Sequence, residues 1–135
     1  MASIRRELVL EAKPDLVWDA VQDIGAIHTR LCPGFVVDTK LEEGARTVTF
    51  GNGMVVKEVI IDLDRGARRL VWSARSERLA HHNASMQIFD EGGGRSRAVW
   101  IADLLPDSAA PNVTAMIDHG LQAMKKTLEA AAKAA

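Results

Sequence analysis

Two titratable side chains fall on strand-like segments whose other positions are largely apolar. Glu58 follows Val56 by two residues, and His82 precedes Met86 by four. Side chains separated by an even number of residues share one face of a strand, so Glu58 and His82 are predicted to face an apolar interior. Burying a polar group without a partner costs several kcal/mol. Such residues are therefore paired, placed at the mouth of a pocket, or functional.

The sequence leaves two interpretations of Glu58 and His82 open. In the first, they pair with arginines, or a one-residue shift in register turns them toward solvent. In the second, they form the polar end of a ligand cavity and orient a carbonyl or hydroxyl group. Positioned proton transfer by either residue would then also be available, which is the chemistry that general acid–base catalysis requires.

Metal binding and nucleophilic catalysis find little support in the residue spacing. His81 and His82 are neighbours, and neighbouring side chains on a strand point to opposite faces. The chain contains no His-x-x-x-His or Cys-x-x-Cys spacing, and neither Ser85 nor Cys32 lies in a nucleophile motif. We therefore expect no metal and no cofactor.

Length and composition indicate a single domain, residues 1–135. Seventeen basic and eighteen acidic residues give a formal charge of −1, which removes any general electrostatic argument for nucleic-acid binding. Cys32 is the only cysteine, and no apolar run is long enough for a signal peptide or a membrane span. We expect a cytoplasmic monomer or homodimer.

Hydrophobic periodicity places these candidate residues on a meander of strands. Alternating patterns and turn signals, such as Gly51-Asn52-Gly53, predict seven strands joined mostly by short turns, which makes neighbours antiparallel. The predicted ranges are 3–12, 35–41, 46–50, 54–63, 69–75, 82–89 and 97–104. Pro14 predicts the start of a short helix over 14–23, and a second short helix is predicted over 25–31. Inward faces would carry Trp72, Met86 and Trp100.

The period changes from 2 to 3.6 after Pro106 and predicts a helix from about Ala110 to Ala132. Gly120 lies within the apolar stripe of this helix, where it weakens the helix by roughly 1 kcal/mol relative to alanine. An inward glycine leaves space between the helix and the sheet that it covers. We therefore expect a pocket for a small hydrophobic ligand beside Gly120.

Several segments, together with the element order, carry a family resemblance: 17–21, 51–53 with Glu58, 70–72, 81–86 and 100–107. The chain resembles the START-related lipid-transfer and polyketide cyclase superfamily (SRPBCC), and 81–86 and 100–107 look like its bacterial polyketide cyclase/dehydrase branch. The resemblance implies an α+β helix-grip fold, in which a seven-stranded antiparallel sheet wraps around a long C-terminal helix. It also places His28, in the second short helix, where cavity entrances are gated.

The sequence thus supports a small-molecule binding protein for a lipid-like, aromatic or polyketide-like ligand. Its predicted ligand-binding residues are His28, Glu58, Trp72, His82, Met86, Trp100 and Gly120. One alternative is a cyclase or dehydratase that uses the pocket histidines and glutamate as acid and base. Another is a protein-interaction module, which the polar outer face of the last helix disfavours.

Overall fold

The computed structural model describes all residues, 1–135, and shows one seven-stranded antiparallel sheet that curves around a long helix. The strands are β1 (Ala2–Leu10), β2 (Val36–Glu42), β3 (Ala45–Phe50), β4 (Val55–Asp64), β5 (Arg69–Arg75), β6 (His81–Gly92) and β7 (Arg95–Leu105). The helices are α1 (Pro14–Gln22), α2 (Ile27–Arg30) and α3 (Ala110–Ala134). This arrangement confirms the predicted α+β helix-grip architecture.

Strand order across the sheet is β1-β7-β6-β5-β4-β3-β2, so the first and last strands are neighbours. Register shifts interrupt the ladders at one point each in β2, β4 and β6. Such bulges bend strands and increase their twist. They account for a sheet whose concave face encloses α3.

The two short helices follow the prediction in position, although the second is shorter. α1 begins at Pro14, whose missing N–H is harmless in a first turn, and Asp15 lies in that turn. α2 extends only over Ile27–Arg30 rather than 25–31. Arg30 forms salt bridges with Asp19 and Asp23, which fasten α2 to α1.

The inward face of α3 closes the core as the apolar stripe predicted. Its buried residues are Ile117, Gly120, Leu121, Met124 and Leu128. The four apolar side chains among them join one cluster of buried residues that also includes residues from the helices α1 and α2 and from strands across the sheet. None of the helices is both long enough and apolar enough to cross a membrane.

Gly120 does not face empty space, and this corrects the reason given for a pocket beside it. A Cβ atom added there would lie 3.1 Å from both Phe35 Cε2 and Trp100 Cζ3. The missing side chain therefore lets two aromatic rings pack against the helix backbone. The cavity lies alongside these rings.

Candidate ligand-binding cavity

A cavity of about 200 Å³ lies between the concave face of the sheet and α3. Hydrophobic residues make up 21 of the 28 that line it. Small-molecule sites are typically concave and mainly apolar, with a few polar groups that fix orientation. This cavity has that composition.

The mouth of the cavity lies near the β5–β6 connection and the first turns of α3. Ser76, Arg78 and Asn112 line the cavity and are exposed to solvent. Leu79 and Val113, also in the lining, are half-buried beside them. A ligand would therefore enter at this end and pass between polar side chains before it reaches the apolar interior.

Two tryptophans form the aromatic wall of the cavity. The ring centroids of Trp72 and Trp100 lie 5.8 Å apart, with an interplanar angle of 62°. This edge-to-face contact is a favoured arrangement for aromatic pairs. Met86, which pairs with Trp100 in the sheet, lines the cavity beside them. Flat rings and flexible methionines together suit a planar apolar ligand.

A buried ion pair contributes charge to the cavity wall. Arg46 Nε donates a hydrogen bond to Glu58 Oε1 over 2.8 Å, and Arg46 Nη1 donates to the Ile24 carbonyl oxygen over 3.3 Å. The two residues face each other across β3 and β4, and both are buried. The Arg46 guanidinium carbon also lies 5.8 Å from the Trp72 ring centroid, a cation–π distance.

Cys32 lines the cavity but is a poor nucleophile. Burial raises the pKa of its thiol to about 12, and the negative charge of Glu58 adds to the increase while Arg46 opposes it. Its Sγ donates to the Ile27 carbonyl oxygen over 3.7 Å. Because the thiolate is the reactive form of cysteine, this side chain is predicted to stay inert at neutral pH.

His82 lies where β5 and β6 move apart. The β5–β6 ladder stops at the pair Trp72 and Ala84, so the two strands separate beyond it. The Ala74 N–H donates to His82 Nδ1 over 2.9 Å, and Ser73 Oγ donates to the His82 carbonyl oxygen. The imidazole thus takes the place of a lost backbone acceptor.

The hydrogen bond from the Ala74 N–H determines the tautomer of the neutral His82 ring. Because Nδ1 accepts a hydrogen bond, the neutral ring carries its proton on Nε2. Burial, with a smaller contribution from His81, lowers the pKa of His82 from 6.5 to about 4. At neutral pH, His82 can therefore donate a hydrogen bond from Nε2. Nε2 cannot accept a proton unless the ring first changes tautomer.

We expect His82 to make folding stability depend on pH. The unfolded chain protonates this imidazole near pH 6.5 and the folded protein near pH 4, so the unfolded state binds more protons between these values. The free energy of unfolding should therefore fall as pH decreases from 6.5 to 4. We expect a loss of roughly 1–2 kcal/mol, which allows for the remaining hydration of a half-buried ring.

Denaturant unfolding across this pH range measures the effect. His82→Gln removes the titrating group and should flatten the profile relative to the wild type. The matched control is His81→Gln, which alters an exposed neighbouring imidazole and should keep most of the slope, because burial is the larger cause of the lowered His82 pKa. Parallel profiles for wild type and His82→Gln would contradict the assignment.

The structure brings six of the seven predicted site residues to one cavity: Glu58, Trp72, His82, Met86, Trp100 and Gly120. His28 is not among the lining residues. Its neighbour Ile27 faces the cavity instead, because successive positions of a short helix point in different directions. A role in ligand binding stays a prediction for all seven.

Arg46 is the principal lining residue that the sequence interpretation missed. A usable signal was present, because Arg46 shares the period-two register of Val48 and Phe50, which are buried on the same face. The structure contains no group of three or more His, Cys, Asp or Glu side chains that could hold a metal ion.

Solved structures with the same fold span nearly the whole chain. The XoxI protein from Bacillus cereus is 16% identical, with a TM-score of 0.85, over 95% of this chain and 96% of its own. A protein from Thermobifida fusca is 25% identical, with a TM-score of 0.77, over 95% and 93%. A START superfamily protein from Mycobacterium smegmatis is 12% identical, with a TM-score of 0.71, over 98% and 97%.

Sequence comparison identifies the family. No curated protein is similar in sequence to this chain. The family described as "Polyketide cyclase / dehydrase and lipid transport" matches residues 1–129, almost the full length. Together with the helix-grip fold, this match shows that the chain belongs to the polyketide cyclase/dehydrase and lipid transport family.

Proposed function

We propose that this protein binds a small, mainly apolar ring compound in the cavity between the sheet and α3. The observation that carries the proposal is an apolar cavity of about 200 Å³ whose wall includes one buried ion pair. Burial of apolar surface would supply most of the binding free energy. The polar groups would fix the orientation of the ligand.

The cavity volume limits the size of the ligand. An engineered protein cavity of about 150 Å³ is sufficient for benzene, and drug-sized ligands occupy pockets of about 300–1,000 Å³. A volume of about 200 Å³ lies between these values. The proposal therefore favours a ligand with one or two fused rings over a long acyl chain.

Catalysis by a cyclase or dehydratase mechanism is the second candidate function. The observation in its favour is that a carboxylate, Glu58, and an imidazole, His82, line the same cavity, and the family description includes polyketide cyclase and dehydrase. However, Glu58 is held by Arg46, and His82 presents an N–H rather than a lone pair. These contacts suit ligand orientation better than proton abstraction.

Methionine methyl NMR tests the binding proposal in the wild-type protein. The chain has five methionines, and Met54, Met86, Met116 and Met124 line the cavity. Met1 is 67% exposed and serves as an internal control. On addition of 2-methylnaphthalene, ring currents should shift the four cavity methyl resonances in a saturable manner while the Met1 resonance stays in place.

Each resonance can be assigned by a single methionine-to-leucine substitution. The proposal fails if no methyl resonance responds. It also fails if Met1 responds and the cavity methyls do not, because the probe would then bind the surface.

A further inference from the structure

Four residues form a straight row across the concave face of the sheet, which we call the polar row: Arg46, Glu58, Ala74 and His82. Arg46 pairs with Glu58, and Glu58 pairs with Ala74, in the strand ladders. His82 completes the row because its Nδ1 accepts the Ala74 N–H. All four line the cavity.

Ala74 is the one small side chain in the polar row. Glu58 and Ala74 lie directly opposite each other on adjacent strands, where Cβ atoms are about 4.5–5.5 Å apart, so their side chains are neighbours on the concave face. The His82 ring approaches from the other side. The alanine thus lies between Glu58 and His82 along the row, and we call the part of the cavity above its methyl group the gap.

One hydrogen-bonding atom on each side of this gap has no partner within the protein. Glu58 Oε1 accepts from Arg46, which leaves Oε2 as a free acceptor. His82 Nδ1 accepts from Ala74, which leaves the Nε2 proton as a free donor. The gap is therefore flanked by an acceptor and a donor, and the residue between them has only a methyl side chain.

We propose that the polar row binds a hydroxyl group of a ring-shaped ligand above Ala74, and that Ala74 determines this specificity. The hydroxyl donates a hydrogen bond to Glu58 Oε2 and accepts one from His82 Nε2–H. This inference rests on the proposed function and adds the chemical class of the ligand, a phenol or enol.

A hydroxyl matches the gap because it is both a donor and an acceptor at a single atom. A carbonyl or ether oxygen accepts from His82 but leaves Glu58 without a partner. A plain hydrocarbon satisfies neither group. Hydrogen bonds to charged groups contribute about 1.5–3 kcal/mol, which corresponds to at least tenfold in affinity.

Three naphthalene derivatives separate these cases by isothermal titration calorimetry. We expect 2-naphthol to bind at least tenfold more tightly than 2-methylnaphthalene, which has a similar size and lacks polar atoms. The acceptor-only ether 2-methoxynaphthalene should bind more weakly than 2-naphthol, because it offers no donor to Glu58 Oε2. In Ala74→Val, two added methyl groups fill the gap, so the preference for 2-naphthol should fall to within about threefold.

The outcomes distinguish this inference from the proposed function. Equal affinity of wild type for 2-naphthol and 2-methylnaphthalene overturns the hydroxyl site and leaves the cavity proposal intact. An undiminished 2-naphthol preference in Ala74→Val likewise overturns it, because the hydroxyl would then bind elsewhere. If no derivative binds, both proposals fail. Retained binding of 2-methylnaphthalene shows that Ala74→Val still folds around an open cavity.

Discussion

Replacing Glu58 with leucine is expected to lower the free energy of unfolding by about 3 kcal/mol, because it leaves the charge of Arg46 buried without its partner. The Arg46 side chain is only 5% exposed, and its Nε depends on Glu58 for a hydrogen bond of 2.8 Å. Leucine is apolar, so it cannot compensate the guanidinium. Urea denaturation of the wild type and Glu58→Leu at neutral pH measures the difference in the free energy of unfolding.

The double variant Arg46→Met/Glu58→Leu provides the first control. It replaces both charges with apolar side chains of similar length, and such replacements of buried ion pairs are often neutral or stabilising. We therefore expect it to recover most of the stability lost in Glu58→Leu. An equal or larger loss in the double variant would mean that packing, rather than the unpaired charge, causes the destabilisation.

The exposed pair of Glu42 and Lys57 provides the second control. Its charged atoms lie 3.4 Å apart, and about half of each side chain is exposed. Exposed ion pairs contribute little, so Glu42→Leu should change the free energy of unfolding by less than about 1 kcal/mol. A loss from Glu42→Leu as large as that from Glu58→Leu would contradict the claim that burial sets the cost.

The fold was predictable because its signals are local and repeated. Alternation defined the strands, Gly51-Asn52-Gly53 marked a hairpin, and the change of period after Pro106 marked the long helix. Each signal depends on residues close in sequence, so no tertiary information is needed. Even the inward faces of β5 and β6 followed, because both strands keep a strict period of two as far as their pairing extends.

The site was predictable only in part, because its polar contacts depend on long-range register. The two-residue alternation along the strands predicts that Glu58 and His82 lie on the inner face, but it does not show that Glu58 pairs with Arg46. That contact requires the β3–β4 register. Nor could the sequence show where the β5–β6 ladder ends, which directs the His82 ring toward the Ala74 backbone.

Gly120 is a second residue whose position the sequence predicts but whose contacts it does not. Helical spacing predicts that Gly120 lies on the inward stripe of α3. It also predicts empty space beside Gly120, and the structure does not have that space. Phe35 and Trp100 fill that space, and they come from a loop and from β7. Helical periodicity shows which face is buried but does not show which side chains cover it.

Gly120→Leu is expected to weaken 2-methylnaphthalene binding by at least tenfold, which corresponds to about 1.4 kcal/mol. A Cβ at this position already lies 3.1 Å from Phe35 and Trp100, so a longer side chain must push these rings toward the cavity. Overpacking should also cost about 1–3 kcal/mol of stability, partly offset by a gain of roughly 1 kcal/mol in helix propensity.

Two further variants make this comparison interpretable. Ala115→Leu adds the same side chain to an exposed position of α3 and should leave binding unchanged. Gly120→Ala adds only the Cβ atom and should fall between wild type and Gly120→Leu in affinity. Circular dichroism identifies the folded variants, and only folded variants are compared.

The dissociation constant of 2-methylnaphthalene, measured by calorimetry for wild type, Gly120→Leu and Ala115→Leu, tests most directly whether the ligand occupies the cavity beneath α3. We predict one saturable site in wild type and Ala115→Leu with matching affinity, and at least tenfold weaker binding in folded Gly120→Leu. Equal affinity in all three proteins, or no saturable binding to the wild type, would contradict the account.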